Sequence, residues 1–570
     1  MKIRSRGVAV SSLVALLVGV TAAGCGNDTA TTDVATPPAV PGDVVAEPGE
    51  GEICAGIDAA HSVDADPNYA AGVTFHAPNP LVVSSLYRVH SGYPISDDWR
   101  IWSYIQEKTN TTFDFEEILL ADWDNSRSLR VSSGDFPTLV PIIWQGSEAA
   151  WVPGGNLLPL SQYTHCMPNF EASVAEWDLQ GELDTTRAED GNIYRLPLLR
   201  QSPNIEHSWA VNVDMFEEAG VDIDAIQTFD DFNAAMAQVQ AAHIPGLNYV
   251  YTPRWNTQTA GPLALAMQTA APNYGTTAGW NREVTNFDRA NDEFIPRVAT
   301  DGFRDMVAWF ADLRAQGILD PEITQEDDNA VQKFINGQAA VIETNFPELT
   351  NAIINPAREA GIDLNVRVIR VPDGPAGGWI AGSRMGPGFA VNSDLRNSPY
   401  FLATLQFLDW LYYSPEGRIM QIWGIEGETY RVNADGTYEC LVPSGDQADC
   451  TGWLQQEFGF RDGMWHNWNG PDDLIFSQMT PEQAAWVREM IATKQIVPIN
   501  PAAPLTEAEQ EQVGLVQESV QTATETGIAQ FVTGQRPMSE WDSFVQQIRN
   551  QGADQIAELM TNAYHRAQGN

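Results

Sequence analysis

Basic residues are scarce in this chain: 31 Lys and Arg face 75 Asp and Glu across 570 residues, a formal charge of −44. Nucleic acids and anionic polymers are therefore poor partners, because repulsion opposes association until salt screens it. Histidine is equally thin, eight residues with no close pair, and the spacings CxxC, HExxH, GxSxG and GxxxxGK[ST] are all missing. Without them, the usual zinc, redox, hydrolase-elbow and phosphate-loop chemistries have no footing. No repeat of about 20 to 50 residues is visible, which excludes solenoids and propellers. Beyond the first two dozen residues there is no long apolar run either.

What is there begins with an export signal. Lys2, Arg4 and Arg6 precede an apolar run from Val8 to Val20 that ends in Ala22-Ala23-Gly24-Cys25. The run is shorter than the ~20 residues a membrane-spanning helix needs and closes on small residues suited to a signal peptidase. The last four residues resemble the bacterial lipobox, which makes residues 1–24 a signal peptide and Cys25 an acylated N-terminus. Acyl chains there anchor the protein to the extracytoplasmic face of the cell membrane, each buried methylene contributing ~0.8 kcal/mol. An ordinary cleaved signal with a chance cysteine is the plainer alternative. Removing Lys2, Arg4 and Arg6 takes the net charge from −44 to −47. Residues 25–76, rich in Thr, Pro and acids, read as a flexible tether with too little apolar surface to offset chain entropy.

Four cysteines remain, Cys54, Cys166, Cys440 and Cys450, and three pairings are open to them. Cys440 and Cys450 bracket a short loop with Gly445, Asp446 and Asp449, which favours that pair and leaves Cys54 for Cys166, pinning the end of the tether. The remaining length of about 490 residues exceeds one core, so at least two lobes are expected. Strand-like runs at Leu81–Tyr87, Thr112–Ile118, Thr138–Ile143 and Trp209–Val213 alternate with helical patterns at Asp97–Glu107, Phe229–Ala242, Phe303–Gln316 and Tyr400–Tyr413. Such alternation indicates α/β lobes with largely parallel strands. Pro141 weakens the third strand, and Thr228 with Asp231 approximates a capping box. Residues from Glu507 to Ala563 read as mostly helical.

Several phrases carry more than periodicity. Glu107-Lys-Thr-Asn-Thr-Thr-Phe113, Ser133-Gly-Asp-Phe-Pro137, Asp190-Gly-Asn-Ile-Tyr-Arg-Leu-Pro197 and Trp209-Ala-Val-Asn-Val-Asp214 stand in the order seen in family 1 extracellular solute-binding proteins of ABC importers. Gly317-Ile-Leu-Asp-Pro-Glu322 follows. Phe334-Ile-Asn-Gly-Gln-Ala-Ala340 resembles the family's FxxGKAA signature with Gln338 for lysine. Trp423-Gly-Ile-Glu-Gly-Glu-Thr-Tyr430, Phe531-Val-Thr-Gly534, Trp541-Asp542 and Ala563-Tyr-His-Arg566 resemble its long lipoprotein branch. The resemblance spans about residues 80 to 566. It implies a type II periplasmic-binding-protein fold, two α/β lobes that close by a hinge around a ligand cleft. Lobe one is expected at 77–202 and 369–410, and lobe two at 203–368 and 411–570. The implied function is delivery of a solute, an oligosaccharide above all, to an ABC permease, with no catalysis and no cofactor. Two other readings stay open: an exported carbohydrate-active enzyme, for which paired carboxylates are available among the 75 acids, and a sensor lipoprotein of the same fold.

Eighteen tryptophans frame the search for the ligand site, since indole faces stack on sugar C–H faces and sugar hydroxyls need polar partners. Trp99, Trp102, Trp309, Trp410 and Trp486 lie in helical apolar patterns and read as core. Trp144 and Glu148 follow an apolar strand, where open α/β sheets present ligand loops. Trp209 sits at the implied first crossing between lobes, Arg254 and Trp255 follow Tyr251, and Trp379 and Arg384 follow a Gly pair. Asn345 ends an apolar stretch, and Trp465 lies in a polar loop. Each of these has surface or packing roles as its plain alternative. The Asn433, Asp435 and Gly436 run lacks the first Asp and the closing Glu of a calcium loop and reads as a hairpin turn, so no metal site is expected.

Overall fold

Why a strand survives Pro141 explains much of the architecture. The computed structural model describes residues 52–90, 94–254, 261–280, 282–325, 327–445, 447–460, 463–465 and 469–569. The signal peptide, Cys25, the first half of the expected tether, Trp255 and Trp468 lie outside the described residues. A five-stranded sheet runs in the order β2-β1-β3-β11-β4, built from β1 (Leu81–Val89), β2 (Thr111–Leu119), β3 (Leu139–Ile143), β4 (Leu196–Leu199) and β11 (Met385–Val391). All five residues of β3 are buried. Proline cannot donate to a ladder, and the β11–β3 register shifts between Gly388 and Ala390, opposite Pro141. The bulge removes the hydrogen bond that Pro141 cannot make.

β1 pairs in parallel with β2 from Leu81↔Thr111 to Val89↔Leu119, and β3 is also parallel to β1. Both faces of this sheet are covered. Leu81, Val83, Tyr87 and Val89 face one core with Phe389, Leu402 and Trp410, while Leu86, Val140 and Ala390 face another with Trp123 and Trp151. A second sheet, in the order β8-β5-β9, consists of β5 (His207–Asn212), β8 (Val341–Asn345) and β9 (Val366–Val368). Period-two alternation sends Trp209 and Val211 to a core with Phe232, Phe303 and Phe310, and sends Ala210 the other way, to Phe334 and Ile342. Short pairs complete the strands: β6 (Thr285–Asp288) with β7 (Glu293–Pro296), β10 (Trp379–Ile380) with β14 (Gln495–Ile496), and β12 (Tyr430–Val432) with β13 (Tyr438–Cys440).

The chain crosses between the two sheets at residues 200–206 and again at 369–384. It returns a third time through β14, after which helix Glu507–Val532 packs Val520 and Phe531 into the second core. Residues 411–474, expected in lobe two, place Leu411, Met420, Leu454 and Leu474 in the first core. Helix Phe401–Tyr413 is not amphipathic as its pattern suggested: all thirteen residues are buried, because helices and the first sheet enclose it on every side.

The second half of the expected tether is docked. Ile57, Phe75 and Ala77 are buried in the first core, and Cys54 is disulfide-bonded to Cys166. Asp409 explains the docking. Its carboxylate accepts from the Tyr69 hydroxyl at 2.8 Å and from the backbone N–H groups of Asn169 and Phe170 at 3.0 and 2.9 Å, the first turn of helix Pro168–Glu176. One buried acid therefore caps a distant helix and ties down the segment carrying Tyr69. Cys440 is bonded to Cys450, and residues 433–437 form the expected hairpin turn, with Asp435 accepting from the Thr437 N–H.

Candidate functional site

Topology sets where ligand loops can stand. β4 is antiparallel to β11, and β11 to β3, so β1, β2, β3 and β4 all end on the side where the chain leaves for its first crossing. β5 starts from that crossing, and antiparallel β8 ends beside it at Asn345. Loops after β1, β2 and β3 on one sheet and after β8 on the other thus share the crossing side, the usual place for ligands in open sheets.

On the first sheet this side carries Trp144, 49% exposed although it follows five buried residues. Its approach is strained: Ile142, β-branched, has φ 55°, in the left-handed region. The Ile142 carbonyl is held by buried Arg127, whose guanidinium lies 5.4 Å from the Trp123 ring and 5.4 Å from the Trp151 ring and also binds Asp124. Four residues on, buried Glu148 pairs with fully buried Arg195 at 3.2 Å, and Arg195 also donates to the Gly386 carbonyl. Glu148 Oε2 and Arg195 Nη2 have no hydrogen-bond partner among the described residues. Both atoms are sealed from solvent, so this ion pair anchors the loop after Trp144 rather than presenting groups at the surface.

On the second sheet, Arg254 is buried and paired with Asp327 at 2.7 Å and Glu348 at 3.1 Å. Asn345 accepts from the Glu348 N–H at 2.9 Å and caps the short helix that follows. Glu348 therefore joins the two candidates, its amide on Asn345 and its carboxylate on Arg254. Beneath them Glu343 is buried, accepts from the Arg254 N–H at 2.9 Å, and is pushed up to about 7 by burial.

The remaining candidates stand elsewhere. Trp209 is a core residue, wholly buried against Phe229, Phe232 and Trp309, with its Nε1 donating to the Tyr251 hydroxyl at 3.2 Å. It points behind the second sheet because alternation along β5 puts it there. Trp465 is likewise buried, stacked 6.0 Å from Trp102. Arg384 binds Glu182 and the Trp177 and Asp178 carbonyls, and Trp379 donates its Nε1 to the Ala376 carbonyl at 2.9 Å. Cys54, His165 and Cys166 are the only three-ligand cluster among the described residues, and the disulfide leaves them no thiolate for a metal.

The profile of the bacterial extracellular solute-binding protein family matches residues 105–425. The chain belongs to that family. No curated protein sequence matches it. Many solved structures share its fold, three of which illustrate the likeness. The alginate-binding protein AlgQ2, solved without calcium ion, is 17% identical with a TM-score of 0.64, over 86% of this chain and 99% of its own. An HMO-binding, ABC-transporter-associated solute-binding protein from Bifidobacterium longum infantis is 13% identical with a TM-score of 0.65, over 85% and 98%. FusA of Streptococcus pneumoniae, in complex with kestose, is 16% identical with a TM-score of 0.62, over 86% and 99%. The periplasmic-binding-protein fold expected from the phrases at Glu107 and Asp190 is thus the fold of this solute-binding protein. Among the described residues no helix is long and apolar enough to cross a membrane.

Several groups that shape this solute-binding protein's candidate site escaped the sequence. Arg127, Arg195, Asp327 and Glu348 act through partners 15 to 94 positions away. Only Asn345-Phe-Pro-Glu348 left a local trace, a capping Asn followed by Pro and then Glu at the third helical position.

Proposed function

We propose that this chain is a lipid-anchored receptor that captures an oligosaccharide between two α/β lobes and passes it to an ABC permease. One lobe comprises residues 54–199 with 385–474, and the other 207–369 with the C-terminal helices. Trp144 carries the reading. An indole half exposed at the end of a wholly buried strand supplies a stacking platform, and Glu148, four residues further along, ties its loop to buried Arg195. Arg254, Asn345 and Glu348 stand at the matching end of the second sheet, with Trp255 and Trp379 as further candidates. Ligand that touches both groups stabilises the closed form by contacts the open form lacks. Support for a saccharide comes from family membership and from the kestose, alginate and HMO named for the structural neighbours. Acylation of Cys25 keeps the receptor at the membrane, and no bond of the ligand is cleaved.

The test is calorimetry and thermal melting over an oligosaccharide panel, with product analysis of each mixture. A binder raises the melting temperature with concentration and leaves the sugar intact. Trp144→Ala then weakens affinity about tenfold or more. Cleaved sugar overturns the receptor reading, whereas full affinity in Trp144→Ala overturns the site. Cys25→Ser is expected to release the protein from membranes.

A further inference from the structure

Of the segments that join the two sheets, the first lies between the other two. At its near end the Arg200 N–H donates to the Arg384 carbonyl at 2.8 Å, and on its other side the Gly470 N–H donates to the Leu199 carbonyl at 2.9 Å. Asp472 adds a clamp. Its carboxylate accepts from the Ser202 N–H at 3.1 Å and the Ser202 hydroxyl at 2.7 Å, while its own N–H donates to Gln201 Oε1 at 3.0 Å. Residues 199–202 are thereby fixed to the first sheet. Ile205 packs with Phe346 and Val371, and His207 pairs with Asn345 on β8, which fixes the chain from 205 onward to the second. Only Pro203 and Asn204 lie between. Gly382 of the second crossing stands against them so closely that a Cβ there would meet Pro203 Cβ at 2.8 Å and the Asn204 carbonyl oxygen at 3.1 Å. The ring of Pro203 locks its φ, so any turn of one lobe on the other falls on Pro203 ψ and on Asn204.

Two opposite charges straddle this pivot, Arg200 at 5% exposure and Glu206 at 7%. They are not paired. The Asn204 amide stands between them, its Oδ1 accepting from Arg200 Nη1 and its Nδ2 donating to Glu206 Oε1 at 3.0 Å. Arg200 has no carboxylate on its guanidinium among the described residues, and its Nε has no hydrogen-bond partner there. Burial lowers its pKa only to about 10, so the group stays cationic at neutral pH. Asp472, the other acid whose field reaches it, is taken up by Ser202. A buried cation without a counter-ion is destabilising, and a rearrangement that brings Glu206 onto Arg200 recovers that energy. The dihedrals that would bring them together are the ones that turn the lobes.

We infer that Asn204 is the positioning residue of a two-state hinge: its amide bridges Arg200 to Glu206 in this structure, and in the other lobe arrangement it swings out and the two charges pair directly. The inference rests on the two-lobe reading above, and not on which solute is carried. Two electrostatic minima then replace a continuous range of lobe angles, and their balance sets how much of a solute's binding energy closure consumes.

The test needs no solute. Leu129→Cys on one lobe and Leu515→Cys on the other, 72% and 79% exposed, carry spin labels on the chain with Cys25→Ser, and pulsed electron resonance reads the interlobe distances. Asn204→Ala removes the bridge and is expected to raise the weight of the second arrangement about tenfold, the worth of a charge-assisted hydrogen bond. Adding Glu206→Gln removes the direct pair and moves the distribution back toward the parent's. Asn204 is half-buried, and Asn204→Ser, too short to span both charges, tests the same loss should the alanine chain fail to fold. Distances unchanged by loss of the amide overturn the inference. So does a shift that Glu206→Gln leaves in place, since Asn204 would then merely brace the crossing. Neither result bears on oligosaccharide binding, and a sugar panel without a binder would leave these distances as they are.

Discussion

Glu343 makes a prediction whose sign runs against intuition. Its carboxyl, buried between β5 and β8, titrates at about 7 against an ordinary 4.5, because burial penalises the charged form more than the Arg254 N–H relieves it. In the unfolded chain the group ionises near pH 4.5, while the native protein keeps its proton until about pH 7. Between those values the native state binds more protons, so stability falls as pH rises. A shift of about 2.5 units at 1.36 kcal/mol each amounts to about 3 kcal/mol lost across the window. Glu343→Gln mimics the protonated form and keeps the oxygen that accepts from Arg254. The variant should therefore match the parent at pH 4 and exceed it at pH 7.5 by about 3 kcal/mol, some 3 °C if the whole described chain unfolds together. Urea denaturation and thermal melting at constant ionic strength measure both. A Glu343→Gln protein with the parent's pH dependence, or one less stable at pH 7.5, would refute the reasoning.

Three further outcomes follow from the packing. Asp409→Ala strips the acceptor from the Tyr69 hydroxyl and from two helix N–H groups, and should cost about 3–5 kcal/mol of stability by urea denaturation. Replacing Cys54 and Cys166 by Ser removes a cross-link spanning 112 positions, worth up to about 4 kcal/mol, and hydrogen exchange should rise first in residues 54–77; unchanged exchange there would mean that Asp409 alone holds the segment. Gly388→Ala places a Cβ 2.0 Å from the Leu196 carbonyl oxygen inside the first sheet, and should lower stability by about 2 kcal/mol or more, read as a drop in melting temperature.

Local chemistry was readable without any structure. The Thr228 and Asp231 capping box starts its helix as expected, Gly134 ends the helix over Trp123–Ser133 at φ 78°, and the Met306, Val307, Phe310 and Leu313 stripe is buried. In each, residues a few positions apart make the whole interaction, so their spacing contains the answer. The family phrases and the four cysteines were readable in the same way, and both pairs are bonded as the loop spacing favoured.

Tertiary structure decided what periodicity cannot express. Trp144 and Trp209 both border apolar strands, yet one is half exposed and the other sealed behind the second sheet, since alternation tells which residues share a face but not what covers it. Helix Phe401–Tyr413 and the segment around Phe75 repeat the lesson: burial depends on neighbours hundreds of positions away, such as the Asp409 carboxylate 340 residues from Tyr69. Charge pairing has the same origin. Composition reported an excess of acids, and only the fold determined that Arg254 would meet two of them and Arg418 none within reach among the described residues.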